Sequence, residues 1–158
     1  MKKLTISAAL ILTVGAFESN AASTASQSLS FSISQYTDLT LNDSAVVFSI
    51  GSIPLGGLGQ DTKSSSYNLV SNNHANQKIT AALDQAMPSG TTLKINAHAP
   101  TTAASAGVTT LSDSAQDLVT GLVANNLQNQ SLDYTFNASE LASPGSFSRT
   151  ITLTIAAQ

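Results

Sequence analysis

Polar and apolar residues alternate one by one through most of this chain after residue 27. In SLSFSIS (28–34), Leu29, Phe31 and Ile33 fall on one side of an extended backbone and only serines on the other. The same period runs through SSYNLVS (65–71), with Tyr67 and Leu69 on one face, and KITAALD (78–84), with Ile79, Ala81 and Leu83. TLKINAH (92–98) sets Leu93, Ile95 and Ala97 against Lys94, Asn96 and His98. LDYTFNA (132–138) aligns Leu132, Tyr134 and Phe136. In SFSRTITLTIAAQ (146–158), Phe147, Arg149, Ile151, Leu153 and Ile155 oppose Ser148, Thr150, Thr152 and Thr154. AVVFSI (45–50) is more continuously apolar, as expected of a strand covered on both faces. Successive side chains of a strand point to opposite faces, so this period predicts half-buried strands. The Val, Ile, Thr, Phe and Tyr inside the runs suit a pleated surface.

The spacing between runs carries turn chemistry. MPSG (87–90) and ASPGSF (142–147) are Pro-containing turns. GSIPLGGLGQDTKSS (51–65) reads as a glycine-rich loop and HAPTTAASAG (98–107) as a polar connection. One segment, 112–130, also places Leu118 with Leu122 and Val119 with Val123 at helical spacing. Thr120 and Gly121 in its middle oppose a helix, so 117–123 is read as a strand, with a helical turn at 113–117 as the alternative. Runs about ten residues apart, separated by turns, are the signature of a sandwich or barrel. The expected fold is all-β: an antiparallel, Greek-key, immunoglobulin-like β-sandwich of about seven to nine strands.

Composition adds a destination. Lys2 and Lys3 precede an apolar run over 4–17, and Ser19-Asn20-Ala21 supplies small residues where a peptidase cuts. Residues 1–21 therefore read as a secretory signal peptide. Residues 22–36 then form an N-terminal segment and 37–158 the sandwich. After the leader, Lys63, Lys78, Lys94 and Arg149 face Asp38, Asp43, Asp61, Asp84, Asp113, Asp117, Asp133 and Glu140. That acidic balance has no basic patch for nucleic acid or an anionic membrane surface. No later run is long enough for insertion as a membrane-spanning helix. The chain has no cysteine, which removes disulfides, thiolate metal sites and cysteine catalysis.

The last 27 residues, LDYTFNASELASPGSFSRTITLTIAAQ, are a Tyr-bearing strand, a Pro-Gly turn and a closing strand of alternating Thr and apolar residues. This stretch resembles the C-terminal hairpin of exported bacterial surface β-sandwiches, including fimbrial subunits. It departs from chaperone–usher pilins in lacking both their disulfide and their penultimate Tyr. The resemblance implies an exported domain whose N-terminal segment completes a neighbour's sheet. In that role Leu29, Phe31 and Ile33 are the donated side chains. The alternative is that 28–34 is the first strand of its own domain.

Candidate chemistry is sparse. GGLGQD (56–61) has the opening of a calcium-binding β-roll repeat, but that motif works by stacking copies and only one is present. Gly56, Gly57, Gly59 and Asp61 are read instead as a contact loop. His74 and His98 could share a metal only if folding unites them. No serine sits in a Gly-x-Ser-x-Gly elbow, and no carboxylate spacing favours a glycosidase pair. Asn42, Asn129 and Asn137 begin glycosylation-type triplets, which chance supplies in so Asn- and Ser-rich a chain. Arg149 reads as an edge residue with its stem packed and its head in water. The sequence thus points to a non-enzymatic exported structural protein without cofactor or metal. It would self-associate, or join other surface proteins, in a surface layer, fimbria-like fibre or biofilm matrix. A monomeric adhesin binding glycan through the 51–65 and 98–107 loops is the alternative.

Overall fold

The computed structural model describes residues 23–158; the signal peptide expected over 1–21 lies outside them. The chain divides into two units, residues 1–32 and 33–158. The second holds nine strands: β1 (Thr37–Leu41), β2 (Leu58–Ser71), β3 (Gln77–Leu83), β4 (Thr91–Ala97), β5 (Ala104–Ser105), β6 (Val108–Thr110), β7 (Gln116–Leu122), β8 (Asn126–Ser139) and β9 (Ile151–Ala157). No helix occurs among the described residues, so none there crosses a membrane as a helix.

Two antiparallel sheets result. One has the order β1-β2-β8-β4-β6 and the other β5-β7-β3-β9. From β2 onward each successive strand changes sheet. The period-two faces explain why: β2, β3, β4, β7 and β8 each carry a buried apolar row, and alternating sheets lets neighbouring rows meet. Leu69, Ile95 and Leu132 from the first sheet and Ile79, Leu118 and Leu122 from the second are fully buried in one shared core. Ile151, Leu153 and Ile155 of β9 pack against it from the margin.

Polar groups inside this core are all partnered among the described residues. Ser71 Oγ donates to Gln77 Oε1 at 3.0 Å and shares a hydrogen bond with Thr37 Oγ1 at 3.0 Å. This buried thread ties β1, β2 and β3 without a disulfide. The Tyr67 hydroxyl donates to the His98 carbonyl at 2.8 Å, and burial pushes its pKa up to about 12.

Several expected strands take a different form. Among the described residues, 28–34 pair with no strand, and Leu29, Phe31 and Ile33 are 81%, 88% and 84% exposed. Residues 45–50 keep alternating burial but join neither sheet. The loop expected over 51–65 is shorter, because β2 already begins at Leu58, and part of 98–107 becomes β5. The closing strand starts at Ile151, so Phe147 and Arg149 precede it. The sequence does not predict the short TDLTL strand, β1, because only Leu39 and Leu41 mark an apolar row in its five residues.

Substitutions in the core and in the N-terminal segment should separate cleanly. Ile95→Ala is expected to cost about 2–5 kcal/mol in urea unfolding of the monomer. Phe31→Ala should change that stability by less than about 0.5 kcal/mol.

Candidate functional site

The two unpaired features of the fold border the same space. After Leu41 the chain leaves the β1–β2 ladder with one last bond, from Asn42 N–H to the Ser66 carbonyl at 3.0 Å. It then runs over the inner face of β2 and β8. Val46, Phe48 and Ile50 turn inward and Val47 and Ser49 outward, which is strand geometry without a strand neighbour. The Phe48 ring packs edge-on against Tyr134 and tilted against Phe136, with centroids 6.5 and 5.7 Å away.

Two contacts set the height of this segment. Ser49 N–H donates to Asp61 Oδ2 at 2.8 Å, and Lys63 Nζ lies 3.1 Å from Asp61 Oδ1. The Ser49 amide, helped by Lys63, holds the Asp61 carboxyl below its ordinary value. At Gly59 a Cβ would lie 2.5 Å from Ile50 Cγ2 and 3.0 Å from the Ser52 carbonyl. Only hydrogen fits there.

Opposite stands β9. It pairs with β3 on one side, and among the described residues no strand pairs with its other side. Between 43–53 and 142–151 lies a groove of about 1100 Å³. Leu93, Tyr134, Phe136 and Ala138 line its floor and Val46, Phe48 and Ile151 its walls. Burial, with the Asp43 charge nearby, pushes the Tyr134 phenol up to about 12, so the floor is uncharged at neutral pH. A groove with an apolar floor, flanked by extended backbone and with Asp43 and Arg149 in its lining, can take up another extended chain. Arg149 lines the groove and donates through Nε to the Ala86 carbonyl at 2.9 Å.

The expected contact loop is split. Gly56 has φ +66° in a turn closed by the bond from Gly57 N–H to the Pro54 carbonyl at 3.0 Å. Gly59 and Asp61 belong instead to β2 and hold the groove wall. The segment 45–53 was read as strand then loop. Its inward rows without a matching polar outer face were the available signal for a partly covered edge.

On the outer face, His98 Nε2 lies 2.8 Å from Asp133 Oδ2. Ser64 and Ser131 hydroxyls donate to Asp133 Oδ1 at 2.9 and 3.2 Å. His98, then the serines, hold Asp133 below its ordinary value. Here the carboxylate stands between serine and imidazole, whereas activation of a serine needs the imidazole between. The cluster therefore bonds β2 and β8 to the end of β4. No group of three or more His, Asp or Glu among the described residues is placed to hold a metal. The chain matches no protein-family model, no curated protein and no solved structure.

Asp61 gives the groove wall a pH dependence. A carboxyl whose folded pKa is lowered adds stability above its unfolded value, near pH 4, and loses it as pH falls through the folded value. Asp61→Asn should therefore lower the urea midpoint at pH 7, and the gap to the parent should close below pH 4.

Proposed function

We propose that this chain is a non-enzymatic, exported structural subunit that polymerises when residues 28–34 of one copy enter the groove of the next. The assembly would be a surface layer, fimbria-like fibre or biofilm matrix. The observation that carries the reading is a match of shapes within one sequence. Leu29, Phe31 and Ile33 form an exposed apolar row, and the groove between 43–53 and 142–151, which reaches the start of β9, has an apolar floor. Export rests on the leader expected over 1–21. The pairing of β2 with β8 and of β3 with β9, strands far apart in sequence, supports the Greek-key, immunoglobulin-like version of the sandwich.

The root of the row is held at the turn after β2, where the Asn72 side chain donates to the Ser34 carbonyl at 2.9 Å. An apolar row so exposed favours a second copy as occupant.

Magnitudes identify what must hold the subunits. Burying Leu29, Phe31 and Ile33 gains about 1.5–3 kcal/mol each. Ordering the seven-residue backbone costs about 1–2 kcal/mol per residue. These nearly cancel, so affinity comes from hydrogen bonds to both walls, at about 0.5–1.5 kcal/mol each.

Two variants test this by sedimentation and negative-stain microscopy. Deleting 23–36 should leave a folded monomer that forms no polymer; polymers that survive the deletion would sink the reading. A copy of 23–36 joined after Gln158 by a short Gly/Ser linker can fold back beside β9. It should give a monomer with a raised melting temperature, and an unchanged melting temperature with continued polymerisation would count equally against it.

A further inference from the structure

The root of the N-terminal segment (22–36) is clamped to the turn that follows β2. Asn72 N–H donates to the Tyr36 carbonyl at 3.1 Å, and Tyr36 N–H donates to Asn72 Oδ1 at 2.7 Å. Asn72 Nδ2 donates to the Ser34 carbonyl at 2.9 Å. The side-chain amide thus acts as one more peptide unit and prolongs the β1–β2 ladder toward that segment. The turn beneath is stiff: Asn73 N–H donates to Ser71 Oγ at 3.1 Å and Ala75 N–H to Asn73 Oδ1 at 2.9 Å. Ser71 also belongs to the buried thread that reaches Gln77.

This clamp leaves no slack. Ile33 is the last apolar residue of the donated row, and Ser34 is already bonded to the donor's own body. A donor whose Ile33 lies in a neighbour's groove must therefore bring its 72–76 turn against the mouth of that groove.

The mouth can be identified. Every strand pairing in both sheets is antiparallel, and antiparallel addition is the more stable mode. A strand lying antiparallel to β9 leaves the groove beyond the start of β9, at the end where Leu58 pairs with Ser139 and Thr91 with Ala138. Three leucines are exposed at that end: Leu55 (100%), Leu58 (58%) and Leu141 (79%). Single exposed leucines need no explanation, but a group at the end of a binding groove marks a contact surface. The donor turn offers a shallow hollow lined by Ile33, Gln35, Asn72, Asn73 and His74.

We infer a second subunit contact, in which Leu55 and Leu141 at the groove mouth of one copy cover the hollow around Asn72 and His74 of the copy that donates its strand. The inference rests on the strand-donation reading. The contact makes each joint stiff, because the donated strand and the end-to-end contact fix two points of the same neighbour.

The cysteine-free chain makes the test direct. Leu55→Cys combined with His74→Cys should, in oxidised fibres, give a ladder of covalent dimers, trimers and longer chains on a non-reducing gel. Leu141→Cys with Gln35→Cys should do the same, and Leu55→Cys with Thr154→Cys should not. Asn72→Ala should still form fibres, with the persistence length at least halved. Fibres in which neither mouth–hollow pair cross-links would overturn the contact while leaving strand donation standing. If the parent chain forms no fibres, strand donation fails and the contact with it.

Discussion

Every backbone amide and carbonyl in an extended chain needs a partner, and β9 meets that need on one side only. The rest of the molecule is arranged around this deficit. The chain leaves β1 at Asn42 and crosses the inner face of β2 and β8 without a strand partner, its Ser49 amide held by Asp61. Two unpaired rows then face each other across an apolar floor. Proteins usually blunt such edges with charge, proline or a bulge. β9 has none of these: its seven residues are Ile, Thr, Leu and Ala. In the strand donation we propose, that liability becomes the means of assembly.

Much of the sandwich was legible in the sequence, because burial on one face leaves a plain mark. The inward rows Ile79-Ala81-Leu83, Leu93-Ile95-Ala97 and Leu132-Tyr134 are all buried as their spacing requires. The same mark misled at 28–34 and 45–50. Alternation says that an extended segment has two unlike faces; it does not say which molecule covers the apolar one, or whether anything pairs its backbone. Residues 28–34 carry the most regular pattern in the chain, yet have no strand beside them.

The groove itself was not legible, because its determinants look like defects in a strand. Gly59, Asp61 and Lys63 interrupt the first half of β2 and resemble a loop. Each has a local reason that appears only in three dimensions. Gly59 admits the 50–53 segment, Asp61 bonds the Ser49 amide, and Lys63 balances that carboxylate. The histidine–carboxylate cluster on the outer face was equally hidden, since Ser64, His98 and Asp133 come from three distant parts of the chain.

One carboxylate, Asp61, does for the Ser49 amide what a neighbouring strand would do, and under the proposed strand donation that would give assembly a directional memory. In a free subunit the wall depends on the charge of Asp61. Once an incoming strand had zipped onto both walls, many peptide bonds would share the task and the charge would become dispensable. Acid would then stop recruitment of loose subunits while sparing joints already closed, so a polymer grown at neutral pH would outlast the conditions that allowed it to form.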